Sequence, residues 1–396
     1  MGEVKKANPV TLFIGMIMFA FFSSAHTQIS SPVISSMVEN LNITNTTAVG
    51  MISTLPSLTC IPTVLVCGKL CEKINKKLVW LIGAIIWAIG GYCATFSDSI
   101  TMVLIFRGIL GVGCGLVIPL VTAIPVDYYP SARAASQIGI NTGIAGLWGA
   151  LLGMLSGALA SSGWHTAFAL HLLAIPVVVI GYICVPSRPT VLPAAPSSAE
   201  APAAGKAKLS PVVFLYAVII CVSMLPIMAC WSYASVFIAE EALATEAQAG
   251  TAISMITLFS AVSSLLYGKL AAFFKKFMLA FGFACIALAF VFLLLFDSYA
   301  TVIIGLAFLG LSMGLLVPYV LSGAAMASSL AAQTMAQSVV LCGTYAGQFL
   351  SSVWYTLATW ITGSTSARAV FNFNMWVSIA LTALFIVMAL FKKKEN

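Results

Sequence analysis

The sequence predicts an all-α membrane protein in which twelve transmembrane helices form two pseudo-symmetric six-helix bundles. Three observations carry that prediction. First, the 396 residues are 61% hydrophobic and 7% charged, with a mean hydropathy of +1.07, whereas a soluble domain carries about 25% charged residues. A water-soluble fold has too little polar surface to cover so much apolar side chain, so hydrocarbon must be the solvent for most of it. Second, the apolar residues fall in runs of the roughly 20 residues that a span requires. Third, short patterns in the first half of the chain return in the second half.

In order, the spans are expected at 10–36, 49–70, 77–96, 101–125, 135–161 and 165–185, then at 211–238, 249–273, 277–296, 300–325, 332–361 and 369–391. The first run is of spanning length and lacks a small-residue cleavage pattern, so it reads as a retained helix rather than a signal peptide. Between the sixth and seventh runs, residues 186–210 are rich in Pro, Ala and Ser and offer nothing to pack. They read as a flexible cytoplasmic linker between an N-terminal half, 1–185, and a C-terminal half, 211–396. With the N-terminus inside, sixteen of the eighteen Lys and Arg residues fall on the cytoplasmic side. Arg107 lies within a span and Arg368 outside, while Glu39, Asp98, Glu240, Glu241, Glu246 and Asp297 also fall outside. Twelve spans with both termini cytoplasmic, in a plasma membrane, is the topology these charges predict.

The repeat is read from three places. Gly68-Lys69-Leu70 returns as Gly268-Lys269-Leu270, each followed by a Lys-Lys pair. Gly115 to Pro119 (GLVIP) returns as Gly314 to Pro318 (GLLVP), and Gln137 returns as Gln337. Three matches in order at a constant offset point to duplicated halves, an architecture that holds a solute between them.

The net charge of +7 does not indicate nucleic acid. The basic residues stand in short clusters between apolar runs, with no aromatic residues interleaved to stack on bases. The ten cysteines lie almost entirely inside apolar runs. Cys67 and Cys71 stand one helical turn apart, but no histidine accompanies them, so no metal site is expected. The sequence shows no P-loop, no HExxH and no nucleophilic triad spacing, which argues against direct ATP drive, an enzyme or a bound cofactor. Asn42 and Asn45 fall in glycosylation sequons.

The loop after the second span carries Gly68, Leu70, Glu72, Asn75, Lys76 and Lys77, approximating G-x-L-a-D-r-x-G-r-r/k. The fourth span carries Arg107, Gly111 and Gly113, matching R-x-x-q-G-x-G. The fifth carries Gly143, Gly146, Gly149, Gly153 and Gly157 without the closing Gly-Pro of proton-driven antiporters. On these motifs and its topology the whole chain resembles the major facilitator superfamily. The resemblance implies a secondary carrier that works by alternating access, with a gating loop at Gly68, Leu70, Glu72, Lys76 and Lys77. It also implies a cavity lined by the fourth span.

Arg107 is the one charge placed in the hydrocarbon core, where a charge costs several kcal/mol unless paired or hydrated. It reads equally as a substrate group or as a bond to the carbonyls of the first helix. His26 shares a face with Ser23, Thr27 and Ser30, and histidine titrates near neutrality; a hydrogen bond within a helix contact is the plainer reading. His171 reads as peripheral. Further polar and aromatic candidates are Asn141 and Trp148 on the fifth span, Trp231 and Tyr233 after an expected break at Pro226, Tyr319, and Gln337 with Gln348 on the eleventh. The Gly149, Gly153, Gly157 stripe reads as a close-packing face between the halves. One buried positive charge with no buried carboxylate favours a small organic anion such as a carboxylate, with a coupled proton or ion. Efflux of apolar or cationic compounds is the alternative, and a non-transporting sensor or assembly partner the third reading. A monomer in the lipid bilayer is expected.

Overall fold

The computed structural model describes residues 8–129, 131–186, 210–328 and 333–391; of the expected linker, 187–209 lie outside the described residues. The chain opens with α1 (Pro9–Ala20), set by Pro9 at its first position and by the Asn8 side chain accepting from the Val10 amide. α2 (Ala25–Ser30) and α3 (Ile34–Asn40) continue the same span after a 49° bend at Ser24. The bend falls at a Ser-Ser pair, and the Ser24 hydroxyl donates to the Ala145 carbonyl of another helix at 2.7 Å.

Asn45 caps α4 (Thr46–Lys73), Asn75 caps α5 (Lys76–Cys93) and Ser99 caps α6 (Ile100–Tyr128), each accepting from first-turn amides. α7 (Ser131–Ala160) follows, then α8 (Trp164–Phe168) and α9 (Ala174–Cys184), which together make the sixth span. The second series is α10 (Pro211–Glu240), α11 (Glu246–Phe274), α12 (Met278–Leu295), α13 (Tyr299–Met326), α14 (Gln333–Thr362) and α15 (Ala367–Phe391). Thr245 and Gln248 form a reciprocal capping box at the start of α11.

Among the described residues, nine stretches are long and apolar enough to span, and the bent first pair makes ten. One stretch, Glu246–Leu295, holds both α11 and α12, and α14 is long enough but more polar. Counted this way the helices reach the twelve that the sequence predicts.

Helix pairing repeats between the two series. α4 and α5 pack on α6 as α11 and α12 pack on α13. Gly111 of α6 lies against Pro56 and Thr59 of α4, and Gly310 of α13 against Ile256 of α11. One turn on, Gly115 meets Cys60 and Thr63, and Gly314 meets Ser260 and Ser263. Small residues let each backbone pair approach closely where hydrocarbon supplies no hydrophobic drive between helices. The two series then meet along two seams, α4 against α14 and α7 against α11.

Two expectations are corrected. α10 runs unbroken through Pro226, because a proline removes only one ladder bond and a packed neighbourhood tolerates the loss. His171 is fully buried rather than peripheral. Its ring packs on Trp87 at 5.0 Å and over Gly91, which has no side chain to obstruct it, and its Nδ1 bonds the Phe168 carbonyl at 2.7 Å.

Candidate functional site

Prolines inside spans explain where several polar residues go. Proline at position i has no N–H to offer the carbonyl at i−4, and an unpaired carbonyl in an apolar setting is costly. Pro56 thus frees the Ile52 carbonyl, which accepts from Arg107 Nε at 2.7 Å. Pro125 frees the Val121 carbonyl, which accepts from Asn141 Nδ2 at 3.2 Å. Pro318 frees the Gly314 carbonyl, which accepts from the Ser264 hydroxyl at 3.2 Å.

Arg107 is fully buried. Its Nη1 and Nη2 both donate to the His26 carbonyl at 3.2 Å, and Nη2 also donates to Ser30 Oγ at 3.1 Å. One guanidinium therefore joins α6 to α4 and to the bent first span. All of these acceptors are neutral.

Beside this knot lies a central cavity of about 230 Å³ between the two series. The bend at Ser24 turns Ser23, Ser24, His26 and Thr27 into it. α4 contributes Ser53, Pro56, Ser57 and Cys60, and α14 contributes Leu341, Thr344, Tyr345 and Gln348. Met228, Trp231 and Met313 add apolar and aromatic wall from the second series. Among the described residues no charged side chain lines it. Three lining groups are without a hydrogen-bond partner: His26 Nδ1, Trp231 Nε1 and Ser53 Oγ, with Trp231 and Ser53 each about 5% exposed or less. The cavity wall sets hydroxyl, amide and imidazole side chains among Met228, Trp231, Met313 and Leu341, a lining of a few polar groups on an otherwise apolar surface that suits an organic guest.

The cavity is closed at one end. There Thr47 pairs with Thr356, Thr54 with Ser352 and Ser36 with Glu246 across the seams. Tyr233 donates to the Thr46 carbonyl at 2.6 Å. The Gly149, Gly153, Gly157 stripe packs on α11, with a Cβ built on Gly250 only 2.6 Å from Gly157 Cα. Deeper in, Gln28 bonds Thr257 and Ser57 donates to Gln348 Oε1 at 2.6 Å. At the other end there is open space at Gly68, Gly139, Gly143 and Gly268, where an added Cβ meets nothing within 4 Å.

Of the residues singled out in the sequence, the cavity gathers Ser23, His26, Thr27, Trp231 and Gln348. Arg107 and Asn141 are turned to proline-freed carbonyls instead. Trp148 packs edge-on to Phe21 at 5.4 Å, away from the cavity. Tyr233 serves the closed end, Tyr319 sits edge-on to Tyr216 at 6.3 Å, and Gln337 is exposed. At the start of α5, Lys76 pairs with Asp127 at 2.8 Å, and the Lys77 ammonium lies 4.0 Å from the Tyr182 ring centroid. The Glu72 side chain lies outside the described residues. Sequence reasoning missed Asp127, Tyr345 and Thr257; the position of Asp127 at the end of α6, facing a loop rich in lysine, was the available signal.

Residues 12–241 match the Major Facilitator Superfamily. The chain belongs to that superfamily of membrane transporters. It is 26% identical over 183 residues to the multidrug transporter protein MdtP of Bacillus subtilis, covering 46% of this chain and 33% of that one. It is 26% identical over 132 residues to the niacin transporter NiaP of Acinetobacter baylyi, covering 32% and 28%. The matched stretch thus spans about a third of these relatives' length. In fold it is similar to a bacterial homologue of the human lysosomal transporter Spinster, inward-facing and unoccupied, with a TM-score of 0.74, 14% identity and 97% and 96% of the chains covered. The nucleoside transporter NupG superimposes with a TM-score of 0.69 at 14% identity, covering 97% and 100%.

Proposed function

We propose that the protein is a secondary carrier of a small organic anion, a monocarboxylate with an apolar body, across the plasma membrane. The halves 1–185 and 211–396, joined by a cytoplasmic linker at 186–210, alternate access to the central cavity, and both termini are cytoplasmic. The closed end then faces outward and the open end inward, the state named for the Spinster homologue.

One observation carries the substrate class. Arg107 is buried, its partners are neutral oxygens, and no carboxylate lines the adjoining cavity among the described residues. His26 links the two, its carbonyl on the guanidinium and its ring in the cavity. At an effective dielectric of about 20, a unit charge several ångströms from the guanidinium feels on the order of 2 kcal/mol. A carboxylate gains this and an ammonium loses it, a discrimination on the order of a thousand-fold. The His26 ring is the group that meets the carboxylate or a coupled proton. The relative named as a niacin transporter is consistent with an aromatic carboxylate.

The second reading, efflux of apolar compounds, is favoured by Met228, Met313, Trp231 and Tyr345 in the wall and by the relative named as a multidrug transporter. Thermal unfolding in detergent with benzoate, benzamide and benzylamine separates the two. A ligand at a hundred times its Kd adds about 2.7 kcal/mol to a two-state protein. Stabilisation in the order benzoate, benzamide, benzylamine is expected. Stabilisation by benzylamine without benzoate overturns the anion reading in favour of efflux.

A further inference from the structure

A second hollow adjoins the central cavity. Descending α4, Ser53, Ser57 and Cys60 line the cavity, and Ile61, Val64 and Leu65 line a second hollow of about 240 Å³ toward the open end. Descending α14, Gln348 and Thr344 line the first, and Cys342 and Ser338 the second, while Leu341 and Tyr345 line both. The steps of three and four residues keep both sets on the facing sides of the seam. Polarity changes along the way. The upper part is lined by Ser23, His26, Thr27, Ser53 and Ser57, whereas the groove is walled on the α4 side by Ile61, Val64 and Leu65. Its flank is open, since Leu65 is 61% and Leu341 42% exposed, in a chain whose solvent at that depth is hydrocarbon.

We infer that the α4–α14 groove receives the hydrocarbon tail of an amphipathic monocarboxylate whose head lies against His26, with Tyr345 at the junction of the two compartments. The inference rests on the anion reading and extends it from a compact acid to one with a chain. The two hollows adjoin across Leu341 and Tyr345, and polar side chains in one beside an aliphatic wall in the other are what specify an amphipath rather than a polar solute.

The test is a homologous series of straight-chain monocarboxylates of four to eight carbons, with the matching n-alcohols, bound to the purified protein in detergent. Each methylene buried in the groove tightens binding about four-fold. Cys342→Phe fills the groove from α14, and Leu65→Trp fills it from α4 should the first variant fold poorly; neither residue lines the central cavity. The expected result is a steep rise of affinity with chain length in the wild type that flattens in the filled variants, with four-carbon affinity within about two-fold of wild type. An equal slope in wild type and filled variants overturns the groove, because the tail then lies elsewhere. Alcohols binding as tightly as acids, with the slope still lost on filling, keep the groove and overturn the anion head. Absence of binding by every acid and alcohol removes both.

Discussion

Arg107 and Pro56 lie on different helices, yet the structure couples them through one carbonyl. In Arg107→Met, the Ile52 carbonyl, already deprived of its helical donor by Pro56, loses the Nε–H that replaces it. The His26 carbonyl and Ser30 Oγ lose donors as well. A buried acceptor left unpaired costs about 1–3 kcal/mol, while removing a buried charge returns part of that sum. The net loss is expected at ~2–4 kcal/mol. Pro56→Ala restores an N–H to the Ile52 carbonyl, so in that background the arginine has one acceptor fewer to satisfy. The double-mutant cycle should therefore show a coupling of about 1–3 kcal/mol, the double variant being more stable than the sum of the singles. Reversible unfolding in SDS of the four proteins measures it. Additivity within about 0.5 kcal/mol would refute the claim that Arg107 serves the proline-freed carbonyl.

Three further outcomes follow from the same contacts. Gly250→Ala inserts a methyl against Gly157 Cα and backbone with nothing flexible to yield, so it should cost the closed end about 1–3 kcal/mol. A Ser352→Cys reporter there, buried in wild type, should then label with a maleimide on the order of 5- to 150-fold faster, and an unchanged rate in folded protein contradicts the assignment. Gly68→Ala, with open space around it, should stabilise the helix by about 0.5–1 kcal/mol, whereas Gly111→Ala, wedged on Pro56 and Thr59, should lower the melting temperature; the reverse order would show the seams misplaced. Asp127→Asn breaks an ion pair whose side chains are each about a third exposed, so its effect on unfolding should stay under about 1 kcal/mol.

The number of spans was legible because the bilayer demands long apolar runs, and twelve such runs stand in the chain. The repeat was legible too: Gly115 and Gly314, matched in sequence, occupy matched places against α4 and α11. The site was only half legible. A polar residue in a span serves a guest, a neighbouring helix or an orphaned carbonyl, and sequence spacing does not choose among them. His26 and Trp231 line the cavity, whereas Arg107 and Asn141 are taken by carbonyls that Pro56 and Pro125 release. Those prolines were visible in the sequence, and counting four residues back from each gives the carbonyl to be paired. Closure of one end was not legible, because Thr54 and Ser352 are ordinary hydroxyls until the seam brings them together.

The central claim is that solute crosses only as the closed end opens. Counterflow of a radiolabelled monocarboxylate in proteoliposomes carrying Thr54→Cys with Ser352→Cys tests it most directly, since these side chains already touch across the seam. Saturable counterflow that stops on oxidation and returns on reduction is the predicted result. Counterflow that continues at the same rate with the seam cross-linked would contradict alternating access through this end of the molecule.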